Sequence, residues 1–420
     1  MIKNVSILFD INMFMKKNNI SKFEYCFGCG VCAVACPKKI IQIKTNGIGF
    51  YVPYIENENL CIDCGICKEI CSFAHNDIAL KQDFVKSYAG WSKSPGVRRV
   101  CSSGGIGFEI GRSLITKGFK VCAVRYNVDL NRAEHYVAHS PEELLDSIGS
   151  KYIQSYTLSG FADINRKDKY LVIGTPCQID SFRRYIKKFR CEDCFILMDF
   201  FCHGVPSSLM WQKYLKSVEK VTGQVDYVSW RNKFTGWHDS WSMAINGAKT
   251  QLNEVPWHDS YNLLIREKKG LYNSRYSQGD VFYKLFLGDL CLGKQCYKNC
   301  RFKLDMSSAD IRLGDCWGSY YNDNDEGVSG AIAFTQVGET TLQDSNCILE
   351  SHQLSVVTEG QMSHNPRRPL LAYVVMFCLE KDIATMNTIK ILASIQMIKN
   401  KFKRRILHPK RTIKKLFKIN

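Results

Sequence analysis

The 420-residue chain has no apolar run that approaches the ~18 residues of a membrane span. It also offers no secretory signal. The apolar patch Val5–Phe9 is interrupted by Asp10 and Asn12, and no small-residue cleavage site follows. Without that context a disulfide framework is not expected, although the chain holds 20 cysteines. A reducing, oxygen-poor cytoplasm suits them best. No sharp linker is visible, and no internal repeat beyond two cysteine boxes. Acids are almost missing from one end: residues 381–420 contain 12 Lys and Arg against a single acid, Asp382. Of the formal charge of +17, that segment supplies +11, which leaves about +6 on the rest. A near-neutral body excludes the broad basic surface of a nucleic-acid binder.

What the chain does have is ordered cysteine. One box reads Cys26-x2-Cys29-x2-Cys32-x3-Cys36-Pro37, the other Cys61-x2-Cys64-x2-Cys67-x3-Cys71. This is the spacing of a two-cluster ferredoxin holding two [4Fe–4S] cubanes. Three ligands of each box wrap one cluster, and the fourth crosses to the other. One set is then Cys26, Cys29, Cys32 and Cys71; the other is Cys61, Cys64, Cys67 and Cys36. Zinc rarely takes three cysteines at successive intervals of two. The second box ends Cys71-Ser72 and lacks the usual proline, which shapes the turn but binds nothing.

Residues 1–20 form a lead and 21–80 the ferredoxin-like domain, with a hairpin around Asn46-Gly47. From Phe84 the pattern changes to strand–helix alternation. Expected strands are Phe84–Trp91, Lys120–Tyr126, Leu171–Gly174, Phe195–Phe201, Val225–Arg231, Trp241–Ile245, Ile311–Gly314 and Ala331–Val337. Helices are expected from Gly105 to Lys117, from Pro141, from Pro176 to Phe189, from Pro206 to about Gly223, and over Asp280–Leu287. Such alternation predicts an α+β or α/β fold: a two-cluster ferredoxin-like domain followed by a larger mixed α/β, flavoprotein-like domain over 81–380. Its parts are 81–170 and 171–380. A basic amphipathic tail over 381–420 follows. In it Ile391, Ile395, Ile398 and Phe402 share a helical face, Pro409 breaks the pattern, and Ile413, Leu416 and Phe417 resume it among lysines. Such a helix can lie on an anionic membrane surface, at the inner face of the membrane; a solvated tail or a helix docked on its own domain is the alternative.

Five strings then occur in order: Ser102-Ser103-Gly104-Gly105, Gly174-Thr175-Pro176-Cys177-Gln178, Phe201-Cys202-His203-Gly204-Val205-Pro206-Ser207, the trio Cys291, Cys296 and Cys300, and Asp310-Ile311 followed by Gly314-Asp315 and Trp317-Gly318. Together they resemble the beta-subunit family of the coenzyme F-420 hydrogenases and dehydrogenases over about residues 85–320, with the ferredoxin completing the fused bacterial form. The resemblance implies FAD, an additional [4Fe–4S] cluster, and electron exchange with a redox partner protein or soluble carrier. The small-molecule substrate is left open. Some bacterial members lie in polysaccharide gene clusters.

Residues were matched to these roles. Backbone N–H groups and hydroxyls of Ser102, Ser103, Gly104 and Gly105 suit a flavin pyrophosphate, unless they are an ordinary helix cap. Cys291, Cys296 and Cys300 are compact enough to supply three ligands of a third cluster, with structural zinc as the alternative. The fourth ligand is Cys177 by first choice and Cys202 by second, each otherwise a small buried hydrophobe. His203 is a candidate acid near a flavin or else a loop-holding residue, and Asp315 is treated as structural. Arg231-Asn232-Lys233 is a basic turn that grips an anion or is merely solvated. Cys191-x2-Cys194 is read as packing.

Overall fold

The computed structural model describes residues 18–22, 26–249 and 272–407. Most of the N-terminal lead and the resumed tail pattern around Ile413–Phe417 lie outside the described residues. The ferredoxin-like region opens with the expected hairpin, β1 (Ile41–Thr45) against antiparallel β2 (Tyr51–Ile55). The short helices Val31–Ala35 and Ile66–Glu69 carry one cysteine box each.

The larger region is built on a nine-stranded mixed sheet among the described residues. Its strands are β3 (Lys86–Ser92), β4 (Lys120–Asn127), β5 (Arg132–Ala138), β6 (Ser155–Tyr156), β7 (Tyr170–Ile173) and β8 (Phe195–Phe200). A separate small sheet follows, of β9 (Val225–Ser229), β10 (Ser242–Gly247) and β11 (Tyr272–Arg275). The large sheet then resumes with β12 (Ile311–Asp315), β13 (Ser329–Ala333) and β14 (Cys347–Ser351), in the order β14-β3-β13-β12-β8-β7-β4-β5-β6. Strands β4, β7, β8 and β12 run parallel at its centre.

Central parallel strands must be covered on both faces, and the sequence provides for this. Val121, Ala123, Leu171, Ile196 and Met198 pack with Ile106, Ile110 and Leu114 of helix Ile106–Thr116. The alternate residues Cys122, Tyr170, Val172, Phe195 and Leu197 pack on the other face with Ile179 and Phe182 of helix Pro176–Lys188. The period of two along each strand thus divides the core into two layers. A third core joins the small sheet to the helices Ser208–Thr222, Val281–Leu287, Leu370–Glu380 and Met386–Leu407.

The expected strand over Ala331–Val337 ends early. Thr335 caps helix Gln336–Gln343, its Oγ1 accepting from the N–H of Gly338. Strand β5 was not expected at all, because Glu134 and His135 stand in its middle. Both are buried: Glu134 is gripped by Arg125 and Arg132, and the His135 ring bonds to the carbonyl of Ile173 at 3.0 Å.

The centre of the sheet holds one fully buried ion pair. Arg312 of β12 and Asp199 of β8 are register partners, with two N–O contacts of 2.7 Å. Arg312 also donates to the carbonyls of Phe302 and Leu304, so it ties down the loop that follows Cys300.

Two outcomes follow. Arg312→Met leaves a buried, unpaired Asp199 and should destabilise the fold by about 3–5 kcal/mol, read from urea unfolding; a loss of under about 1 kcal/mol rejects the role. Burial lowers the pKa of His135 from 6.5 to about 4. The unfolded chain therefore binds a proton that the native one refuses, so stability falls as pH drops from 6.5 toward 4. His135→Gln should flatten that part of the pH–stability curve by about 3 kcal/mol; an unchanged curve counts against it.

Candidate metal centres

The two ferredoxin boxes fold alike. Gly30 and Gly65 stand at the N-terminal ends of their helices with φ of 72° and 69°. That left-handed turn favours glycine and lets each chain bend round its sulfurs. A Cβ at Gly30 would also lie 2.2 Å from Thr157 Oγ1. The result is two cavities. One is lined by Cys26, Cys29, Cys32 and Cys71, the other by Cys36, Cys61, Cys64 and Cys67. The structure therefore groups the eight thiols with the fourth cysteine of each box crossed to the other's set.

Their electrostatics suit iron. Burial pushes Cys26, Cys29 and Cys32 above the ordinary thiol range, and Cys71 up to about 12. Cys26, Cys32 and Cys71 also feel the charge of other thiols of the set, while Cys29 feels that of Asp180. Thiolates so placed need a cation, which cluster iron supplies on binding. Donors already point at sulfur: Gly28 N–H lies 3.1 Å from Cys26 Sγ, and Asn19 Nδ2 3.7 Å from Cys61 Sγ. Among the described residues, Ser181, from the larger region, is the sole polar non-cysteine side chain lining the first cavity, and its hydroxyl bonds to Cys29. The same Oγ accepts from Ser72 N–H at 3.0 Å.

A further group of four thiols forms in the larger region. Cys177 opens helix Pro176–Lys188 at the carboxyl end of β7, where Pro176 sets the first turn and Gln178 Oε1 accepts from Thr175 N–H at 2.8 Å. Cys202 follows the carboxyl end of the adjacent β8. Cys296 lies on helix Lys294–Lys298, and Cys300 just beyond it. Cys177 feels the charges of Cys202, Cys296 and Cys300, and Cys296 those of Cys202 and Cys300. Burial raises Cys177, pushes Cys202 up to about 11 and Cys296 up to about 12. Val205 N–H points at Cys296 Sγ from 3.4 Å, and Thr175 Oγ1 stands 3.2 Å from Cys177 Sγ. Gly204 allows the close approach, since a Cβ there would meet Leu292 at 2.9 Å and Cys296 Cβ at 3.4 Å.

Cys291 takes no part in this group. It is fully buried in the helical core, and the charges that act on it come first from Asp289, not from another thiol. Its carbonyl accepts from Ser207 N–H at 2.9 Å. The expected trio is therefore corrected: Cys296 and Cys300 are joined by both Cys177 and Cys202, while Cys291 packs. Among the described residues no three His, Cys, Asp or Glu are grouped so as to hold a single metal ion, and this is as true of the ferredoxin boxes as of this group.

The residues assigned to a flavin are already engaged. Ser103 Oγ donates to Val328 O at 2.7 Å, Gly104 N–H to Ser329 Oγ at 2.9 Å, and Ser102 Oγ accepts from Ser150 N–H at 2.9 Å. A Cβ on Gly104 would lie 2.3 Å from Gly90 O. Gly105, with φ of 89°, only starts helix Ile106–Thr116. This is a tight packing turn; it does not fit a pyrophosphate cradle. The basic turn is equally closed. Arg231, with no side-chain exposure, pairs with both oxygens of Asp315 at 3.0 Å and lies over Trp241 and Trp317. Lys233 Nζ donates to the carbonyls of Arg98, Ser103 and Glu326. His203 Nε2 sits 2.9 Å from Asp289 Oδ1 and 3.2 Å from Phe286 O, a loop-holding arrangement beside Cys202. Cys191 is buried in the core, and Cys101 is buried beside Gly105.

Comparison with known proteins agrees with the two ferredoxin boxes. Residues 25–74 match the 4Fe-4S dicluster domain. A 72-residue stretch is 40% identical to coenzyme F420 hydrogenase subunit beta of Methanococcus voltae, covering 16% of this chain and 26% of that one. Another of 174 residues is 27% identical to the coenzyme F420-dependent sulfite reductase of Methanocaldococcus jannaschii, covering 40% and 26%. The chain thus spans about a quarter of the length of these curated relatives. A chain of the F420-reducing [NiFe] hydrogenase complex from Methanosarcina barkeri aligns over 78% of this chain and 94% of its own, at 14% identity and a TM-score of 0.43. Residues 87–161 match the N-terminal model and 167–355 the C-terminal model of the coenzyme F420 hydrogenase/dehydrogenase beta subunit, and the chain belongs to that family.

Proposed function

We propose that this iron–sulfur protein is an electron-transfer oxidoreductase component with three [4Fe–4S] sites: Cys26, Cys29, Cys32 and Cys71; Cys36, Cys61, Cys64 and Cys67; and Cys177, Cys202, Cys296 and Cys300. The carrying observation is the last group. Its four thiols come from three separated segments, Cys177, Cys202 and Cys296 each feel the charge of other members, and Cys177 and Cys202 follow the carboxyl ends of two adjacent parallel strands. That edge is where open α/β sheets place their ligands. When bound, a [4Fe–4S] cluster takes up and releases single electrons.

The chain's own part is placement. Cys177 and Ser181 are one turn apart on one helix, a rise of about 6 Å. Ser181 lines the Cys26–Cys71 cavity, so one rigid element holds two of the thiol groups. The Cys36–Cys67 group is the outer one: Cys64 is exposed. A redox partner protein or soluble carrier is expected at that end. We derive no step through a flavin, because Ser102–Gly105 do not offer its pyrophosphate donors.

Two measurements check this. Protein purified without oxygen should carry about twelve irons, four per cubane. Cys202→Ala should lower this to about eight, and Cys291→Ala should leave it unchanged while costing some stability through a core cavity. Retention of all iron by Cys202→Ala sinks the third site. In a redox titration followed by electron paramagnetic resonance, Ser181→Ala should lower the midpoint potential of one cluster only. A hydroxyl donating to a cluster sulfur stabilises the reduced, more negative state. Ser181→Thr should restore the potential; three unshifted potentials in Ser181→Ala dismiss the tuning role.

A further inference from the structure

The two C-terminal helices are amphipathic toward solvent as well as toward the core. In Leu370–Glu380, the side chains of Ala372, Val375, Met376 and Leu379 are buried, while Leu370, Tyr373, Val374 and Phe377 are exposed. In Met386–Leu407, Ile389, Ala393 and Gln396 are buried, and Ile391, Ile395, Ile398 and Phe402 are exposed. At 100° per residue each exposed set forms one narrow stripe opposite the buried set. The helices pack on each other and both pack on Ser208–Thr222, so the stripes face outward from one layer. Ile383, in the turn between them, is 65% exposed. Single exposed apolar residues are ordinary, but a contiguous set of this size marks an interaction surface.

The charge around the stripes selects the occupant. On the second helix Lys390 and Lys401 lie on one flank of the isoleucine stripe and Lys399 on the other, all exposed. Just before the first, Arg368 stacks on Tyr373, 3.9 Å from the ring centre. The nearby acids are neutralised: Asp382 pairs with Lys213, and Glu380 with Lys381. Helix Met386–Leu407 contains no acid at all. An apolar stripe with cations on both flanks matches an anionic lipid surface. The isoleucines and Phe402 enter the acyl boundary, and the lysine stems reach back to phosphate. Among the described residues no helix is long and apolar enough to cross a membrane, so contact here is parallel to the surface.

We propose that the outer face of these two helices, from Leu370 to Phe402, docks the protein on anionic lipid. The reading does not depend on which cysteines hold iron. The test uses the full-length protein in co-sedimentation with vesicles of phosphatidylcholine alone or with phosphatidylglycerol added. The protein should pellet with the anionic vesicles and not with the neutral ones, and salt should weaken the binding. Ile391→Asn and Ile398→Asn should each weaken it roughly tenfold or more. Lys399→Ser with Lys401→Ser should also weaken it and reduce its salt dependence. Unchanged iron content and melting temperature in these variants show that the fold is intact. No pelleting with anionic vesicles overturns the proposal. So does concentration-dependent self-association, without lipid, that Ile391→Asn abolishes, because it assigns the face to a second copy of the chain.

Discussion

A thiolate is costly to bury, and this fold buries or half-buries nearly all of the twelve thiols that fall into its three groups of four. Desolvation is the first cause of the raised pKa at Cys26, Cys29, Cys32, Cys71, Cys177, Cys202 and Cys296, and repulsion from neighbouring thiols adds to it at all of these but Cys29. Nearby donors oppose it at several of these sulfurs, notably Gly28 N–H at Cys26, Ser181 at Cys29 and Val205 N–H at Cys296. Hydrogen bonds alone do not balance four charges in one cavity. A polycationic iron core does, which makes cluster binding and final folding of these loops one event. The ordinary buried cysteines differ in this respect. Cys122 and Cys291 are as deeply buried, but no other thiol acts on them, so they remain protonated hydrophobes.

The scaffold meets this constraint by holding the third group on rigid elements. Cys177 and Cys202 follow adjacent parallel strands, and the Arg312–Asp199 pair fixes β8 against β12. Because Arg312 also holds the carbonyls of Phe302 and Leu304, the loop after Cys300 is tied to the same pair. Lys303 adds a second tie by donating to the carbonyls of Cys202 and His203. The cationic residues that looked available for a ligand in fact join segments distant in sequence. Arg231 closes on Asp315, and Lys233 on three carbonyls.

How legible each part was depends on how local its cause is. The ferredoxin sets are written within two boxes, since a short loop with glycine at Gly30 and Gly65 decides which sulfurs face each other. The central strands were legible because both faces are apolar. Strand β5 was not, since Glu134 and His135 look like surface residues until Arg125, Arg132 and Ile173 O are in place. The third thiol group was half legible. Proximity in sequence favoured Cys291, but no other thiol's charge acts on it, whereas Cys296 feels those of Cys202 and Cys300. The useful signal was position after a strand, which Cys177 and Cys202 share. Ser102–Gly105 misled for the opposite reason. A Ser-Gly turn before a helix suits an anion, and only partners more than two hundred residues away, Val328 and Ser329, show it to be filled.

The cluster-binding region is also not an appended module. Gln154 bridges Tyr51 N–H and Phe27 O, Ser207 donates to Ile48 O, and Ser208 N–H to Gly49 O. Arg301, immediately after Cys300, donates to the carbonyl of Ser72, immediately after Cys71. Ser181, one turn after Cys177, accepts from Ser72 N–H. Both backbone groups of Ser72 are therefore held by residues on the same segments as thiols of the third group. A shift of the loop at Cys300 or of the helix at Cys177 must move Ser72, and with it Cys71, which completes the Cys26–Cys29–Cys32 set. Geometry at one thiol group thus constrains the other through a single residue, which holds the two sites in fixed relation.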